Sequence, residues 1–166
     1  MKERYRFREI RQEELSEMFE IILARMRWMD EQGIRQWNVT CYDEVYPMSY
    51  YEEKRRQGEI FVLEDRETGR IVCVGALKKE DDRWQDDTPA LYLHHFATRL
   101  GERGVGRIYL KHAEELILSR GMTLFRLDSA DDNEALTRYY EELGFLPVGR
   151  CVDGLYTGIL REKSLV

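Results

Sequence analysis

The stretch from Ala90 to Leu127 most constrains the topology. Ala90–Ala97 is an apolar strand, and Gly101, Gly104 and Gly106 punctuate the turn that follows. Val105–Arg120 carries Ile108, Tyr109, His112, Ala113, Leu116 and Ile117 near one helical face; Gly121 stops it, and Met122–Leu127 reads as a buried strand. A strand–helix–strand unit of this kind demands a parallel pair joined by a right-handed crossover. Glycine lets the backbone turn tightly and approach a ligand closely. The first helical N–H groups lack intrahelical acceptors, and the helix dipole favours negative charge there. The segment Leu91–Gly106 is thus an anion cradle suited to phosphate or pyrophosphate.

The elements around it are read the same way. Tyr5–Ile10 is a short first strand. Glu13–Glu31 carries Leu15, Met18, Phe19, Ile22, Met26 and Met29 at helical spacing and ends at Gly33. Pro47 opens a second helix over Met48–Gln57, closed by Gly58. Ile60–Leu63 and Arg70–Leu77 are strands joined by Glu67-Thr68-Gly69, and Lys78–Pro89 is an acid-rich loop. Asp131-Asp132-Asn133-Glu134 resembles a capping box with Asp131 in the cap position, opening a helix that ends at Gly144. Phe145–Val148 and Leu155–Leu160 close the chain around an Asp153-Gly154 turn. The resulting order, β-α-α-β-β-β-α-β-α-β-β, predicts an α+β (mixed α/β) fold whose mixed sheet carries helices on its faces.

Three anion sites compete for the glycine loop. A nucleotide-hydrolysing P-loop requires Lys and Ser or Thr after its last glycine, where this chain has Arg107 and Ile108. A dinucleotide fingerprint requires the first strand of a repeating βαβ unit, whereas this loop follows the fourth strand. The remaining reading is an acyl-CoA pyrophosphate loop. Leu91–Arg120 and Asn133–Phe145 (Asn-Glu-Ala-Leu-Thr-Arg-Tyr-Tyr-Glu-Glu-Leu-Gly-Phe) resemble the GNAT superfamily of acyl-CoA-dependent N-acetyltransferases. Gly104 and Gly106 match the family's Arg/Gln-x-x-Gly-x-Gly/Ala loop, Arg103 gives its frequent Arg-Gly pair, and Gly101 stands where the family usually has Arg or Gln. Arg99, Arg103 and Arg107 are the candidates to make up for that departure.

The resemblance implies a GNAT-like, mostly antiparallel mixed sheet of six to seven strands with about four helices. It implies acetyl-CoA as co-substrate, with main-chain amides of Arg103, Gly104, Val105 and Gly106 on the pyrophosphate. Phe96 and Thr98 would pair through main-chain groups with the pantetheine arm, main-chain N–H near Phe96 and Ala97 would meet the oxyanion, and Asn133 would contact the cofactor. The alternative role of Asn133 is helix capping. By the same resemblance Tyr140 is the proton donor to the CoA thiolate; its alternative is packing with Leu136 and Leu143. For Tyr139, core packing is expected. His94 is the candidate base, since an imidazole with a pKa near 6.5 is neutral at neutral pH, against a satisfied core histidine or an ordered-water relay. His95, adjacent on the strand, is expected on the opposite face, so that the pair cannot line one pocket. His112 is expected on the packing face of its helix. An acceptor pocket is expected between the first helix and the middle strands, near Trp37, Tyr42, Tyr46 and Tyr50.

The composition narrows the rest. With 166 residues, 43% apolar and 35% charged, the chain reads as one domain, 1–166. No apolar run suits a bilayer, the charged N-terminus has no secretory block, and Cys41, Cys73 and Cys151 show neither zinc nor disulfide spacing, so a cytoplasmic protein without a metal is expected. A net charge of −6 argues against a nucleic-acid partner. The expected partner is a small-molecule or peptide amine, with a homodimer left open. The competing class is a non-catalytic, CoA-responsive binding module of the same fold.

Overall fold

The computed structural model describes residues 3–166; Met1 and Lys2, which open the charged N-terminal stretch, lie outside them. The chain runs β1 (Tyr5–Glu9), α1 (Leu15–Gln32), α2 (Tyr42–Val45), α3 (Met48–Arg56), β2 (Ile60–Asp65), β3 (Arg70–Lys78), β4 (Ala90–Thr98), α4 (Val105–Ser119), β5 (Leu124–Ala130), α5 (Glu134–Glu142), β6 (Leu146–Asp153) and β7 (Tyr156–Ser164). These strands form a seven-stranded sheet in the order β1-β2-β3-β4-β5-β7-β6. Its pairs are antiparallel except β4–β5, the parallel pair that the crossover demands. The expected mixed, mostly antiparallel sheet is therefore present, with five α-helices among the described residues rather than about four. The additional one, α2, is a single turn whose four residues are too few for periodicity to register.

Alternation along the strands splits the core in two. Phe61 and Leu63 of β2 join α4 residues Val105, Tyr109, Ala113 and Ile117, with Tyr140 of α5. Ile60 and Val62, on the opposite side of the same strand, join Met18 and Ile22 of α1 and Tyr51 of α3. Successive side chains of a strand point to opposite faces, so each apolar strand cements a helix layer on both sides. Gly75 is needed for the close approach on the α4 side: a Cβ there would lie 2.6 Å from the Tyr109 hydroxyl, which donates to the Phe61 carbonyl.

Two boundary expectations are corrected. The cap of α5 is Asn133, not Asp131; its side-chain oxygen accepts from Leu136 N at 3.0 Å. The β5 strand runs Leu124–Ala130 rather than Met122–Leu127, because pairing with β7 carries it three residues further. Among the described residues no helix is long and apolar enough to cross a membrane.

Candidate active site

The parallel pair is short. β4 and β5 are in register from Ala90/Leu124 to Leu93/Leu127. Beyond that point β4 stays on β3 as far as Thr98, while β5 stays on β7 as far as Ala130. The sheet parts between them, and a cavity of about 780 Å³ fills the opening. A bulge accompanies the parting: the β3–β4 register shifts between Val74 and Ala76, and His95 sits at φ +56°. A non-glycine residue there is uncommon, and bulges re-aim side chains. Here the consequence is direct. His94 and His95 both line the cavity, their ring centroids 5.7 Å apart. The expectation that neighbouring strand residues must face opposite ways fails because the strand is not regular at this point.

One end of the cavity is made largely of main chain. Arg99 N–H donates to Val72 O at 2.8 Å, so by ladder alternation the main-chain groups of Ala97 face β3, while those of Phe96 and Thr98 face the opening. Of the two N–H groups expected near the oxyanion, that of Phe96 therefore has the better direction. The Thr98 carbonyl already accepts from Arg25 Nε at 2.8 Å, with Arg25 Nη2 2.6 Å from its hydroxyl. At α4, Gly104 is the N-cap with φ +74°, and a Cβ on it would meet nothing within 4 Å. Space therefore lies above the free amides of the first turn. Gly106 is the opposite case: a Cβ would lie 3.0 Å from the Tyr139 hydroxyl and 3.3 Å from Phe96 Cζ.

The arginines near this end divide. Arg99 is held by the Ile71 carbonyl and Glu17, and Arg103 is exposed and outside the cavity wall. Arg107 lines the cavity, its guanidinium 5.5 Å from the centre of the Tyr139 ring. Tyr140 is 6% exposed and packs on Tyr139 and Phe145, yet still contributes to the cavity wall. Burial pushes its phenol well above the ordinary range, so it stays protonated.

The other end is made of side chains from separate segments. His94 Nε2 donates to Asp81 Oδ2 at 2.6 Å, which leaves the lone pair of Nδ1 free. Burial alone would raise the Asp81 carboxyl, but the hydrogen bond and charge of His94 hold it below its usual value. Across from them, Asp128 of β5 accepts from the Tyr156 hydroxyl at 2.6 Å and from Arg83 Nη1 at 3.4 Å. Gly158 makes that contact possible: a Cβ there would lie 2.6 Å from the Tyr156 hydroxyl. Asp81, His94 and Asp128 each bring one ligand-type atom within 4.8 Å of the others, a grouping suited to a cation that sequence spacing conceals.

His95 is enclosed by Tyr42, Tyr46, Tyr50 and Tyr51, with ring centroids at 4.6–5.5 Å. Its Nδ1 meets the Tyr42 hydroxyl, and its Nε2 lies 2.8 Å from that of Tyr50. Burial, followed by the charges of His94, Lys78, Arg83 and Lys54, pushes its pKa well below 6.5. The ring is neutral, one nitrogen donating and the other accepting.

Comparison with known proteins decides the kind of site. Residues 23–145 match the acetyltransferase (GNAT) family. The chain belongs to this family. It is similar to an uncharacterized N-acetyltransferase, YesJ, of Bacillus subtilis strain 168, with 28% identity over 153 residues covering 87% of this chain and 82% of the relative. In fold it is similar to a GNAT-family acetyltransferase of Listeria monocytogenes 4b F2365 (TM-score 0.79, 22% identity, 97% and 95% of the two chains). It is likewise similar to the PaiA N-acetyltransferase of Thermoplasma acidophilum, solved in complex with coenzyme A (TM-score 0.73, 18% identity, 96% and 98%).

Within this acetyltransferase, the cavity gathers Phe96, Ala97, Thr98, Gly104, Val105, Gly106, His94 and Tyr140 from the sequence-derived set. Arg103 and Asn133 lie outside its wall; the Asn133 amide caps α5 and reaches Gln36 at 3.3 Å. Of the aromatic connector, Trp37, Tyr42 and Tyr46 stand in the wall as expected, whereas Tyr50 does not and meets His95 Nε2 instead. Tyr139 does pack on the core, but it also lines the cavity. His112 stacks on Phe7 at 5.5 Å, within the helix packing face.

Sequence reasoning missed Arg83, Asp128 and Tyr156, and it reached Asp81 only as one of five loop carboxylates (Glu80, Asp81, Asp82, Asp86 and Asp87) that could attract a cationic amine or simply form a solvated loop. Asp128 left little signal, since it follows directly on the expected strand Met122–Leu127, in a stretch that also carries Arg126 and Ser129. Nothing in the sequence singled out Asp81 among the five acids of that loop.

Proposed function

We propose that this acetyltransferase transfers an acetyl group from acetyl-CoA to an amine by direct attack within a ternary complex. The observation that carries the reading is one continuous cavity with the glycine-capped N-terminus of α4 at one end and the His94–Asp81 pair at the other. The residues at the first end fit the co-substrate. Gly104 leaves open space over free amides, and the parted β4 edge offers Phe96 N–H and C=O with Thr98 N–H to an extended arm. Main-chain amides of Arg103–Gly106 hold the diphosphate, and Arg107 supplies the cationic side chain that Gly101 does not.

In the transfer, the N–C bond forms as the C–S bond breaks, its electron pair leaving on sulfur. An ammonium sheds two protons in becoming an amide. His94 accepts the first at Nδ1, passes it to solvent and then takes the second there, while Asp81 keeps the imidazole in the tautomer that exposes that atom. The phenol of Tyr140 gives its proton to the thiolate and is reprotonated by one of those protons, so one ends on sulfur and one in solvent. Phe96 N–H faces the charge developing on the acetyl oxygen. Residues 1–166 act as a single catalytic domain.

The test is thiol release from acetyl-CoA with a panel of amines, run beside calorimetry with coenzyme A. Amine-dependent release supports the reading. Tight coenzyme A binding without release from any amine overturns it in favour of a binding module.

A further inference from the structure

The co-substrate end of the cavity holds a positive charge that no acid of the described residues balances. Arg25, on α1, lines the wall and is half-buried. Its Nε donates to the Thr98 carbonyl at 2.8 Å, and its Nη2 lies 2.6 Å from the Thr98 hydroxyl. The guanidinium stands 4.8 Å from the centre of the Trp28 ring, on the same helix. Among the described residues, no carboxylate oxygen comes within 4.0 Å of its nitrogens. Glu102, the acid of the wall at this end, stays beyond that distance.

The other arginines of the wall differ. Arg83 meets Asp128 and Asp153, and Arg107 lies 3.6 Å from Glu142. A guanidinium drawn partly out of water among neutral partners carries a desolvation cost that an anion would offset. Burial accordingly pulls the Arg25 pKa below the ordinary arginine range, with the Cys73 thiol as the opposing influence.

Thr98 fixes where this charge sits. Its Cγ2 lies 3.4 Å from the place a Cβ on Gly106 would take, so one side chain separates Arg25 from the first turn of α4. That turn offers its free amides, with open space over Gly104. Arg99 and Arg103 stand nearer the glycines in sequence, yet the first is held by Ile71 and Glu17 and the second lies outside the cavity wall.

We infer that Arg25 is a diphosphate-binding residue of the co-substrate site, its guanidinium joining the Thr98 end of β4 to a phosphate held by the α4 amides. The planar guanidinium suits this task, since it can keep Thr98 on one side and offer donors to phosphate oxygens on another. This rests on the acetyl-CoA reading and deepens it. A cation for which the loop has only glycine at position 101 comes from a distant helix, beside that of Arg107.

The experiment measures calorimetric affinity for coenzyme A and for pantetheine, which keeps the arm and the thiol but has no diphosphate. The wild-type protein is compared with Arg25→Gln and Arg25→Lys. Arg25→Gln keeps a donor for the Thr98 carbonyl and loses the charge. It is expected to weaken coenzyme A about tenfold or more, the worth of a charge-assisted hydrogen bond, and to leave pantetheine unchanged. Arg25→Lys keeps the charge and is expected to hold coenzyme A within a few-fold of the wild type. Unchanged coenzyme A affinity in Arg25→Gln overturns the inference. Equal losses for both ligands in the two variants also overturn it, and make Arg25 a support of the Thr98 main chain. A wild-type protein that binds no coenzyme A overturns the acetyl-CoA reading, and this inference with it.

Discussion

The two ends of the cavity are built by different means. The end under α4 uses main-chain groups within Phe96–Gly106, a continuous stretch of chain. The acceptor end uses side chains from the α1–α3 connector, the β3–β4 loop, β4, β5 and the β6–β7 hairpin. Backbone recognition tolerates many side chains and demands glycine at a few points. Side-chain recognition demands particular groups but places them anywhere in the sequence. The first end should therefore fail through shape and charge at one position, and the second by degrees.

The largest effect is expected from Gly104→Asp. Its Cβ enters open space, and although φ +74° strains any L side chain by about 1 kcal/mol, Asp tolerates that conformation better than most residues, so the fold is kept while a carboxylate meets the diphosphate. Losing about two charge-assisted hydrogen bonds lowers coenzyme A affinity roughly 100-fold or more by calorimetry. Undiminished affinity would remove the main-chain cradle from the description.

Tyr140→Phe isolates chemistry from binding. Turnover should drop by about 100-fold, the low end of general-acid effects, with coenzyme A affinity unchanged. Parallel loss of both would instead make Tyr140 a packing residue of the Tyr139–Phe145 cluster.

Asp81→Asn probes the acceptor end. Removing the carboxylate that orients His94 should cut kcat by roughly tenfold with coenzyme A affinity unchanged. An undiminished kcat would transfer the base role from His94 to water.

His95 sets a stability effect. Its folded pKa lies below 6.5, so the unfolded chain binds the extra proton, and stability is lost as pH falls from about 6.5, at no more than about 1.4 kcal/mol per pH unit. The groups facing it are the Tyr42, Tyr46, Tyr50 and Tyr51 rings and the charges of His94, Lys78, Arg83 and Lys54. Urea titrations at pH 5.5 and 7.5 measure the slope, and His95→Gln should flatten it.

The smallest effect belongs to Asn133→Ala. Loss of its bond to Leu136 N should cost about 1 kcal/mol of stability with coenzyme A affinity intact. A fall in affinity without a fall in stability would return Asn133 to the cofactor.

How much was legible follows the same division. The β4–α4–β5 crossover and the start of α4 just after the glycine turn could be read from spacing, because each is settled within a few residues; the close packing at Gly106 could not. The bulge at His95 could not either. Strand alternation predicted opposed histidines, and only the departure of β4 from β5, with the shifted pairing to β3, turns both into one cavity. Nor could spacing show Asp81 beside His94 or Tyr156 reaching Asp128 across Gly158.

The amino-acid order alone determined the parallel crossover, the helix start just after the glycine turn and two apolar strand faces, since glycine conformations and hydrophobic periodicity are properties of short stretches. The packed molecule decided which carboxylates, tyrosines and histidines meet. Those distances depend on how strands and helices far apart in the chain bury their apolar faces against one another.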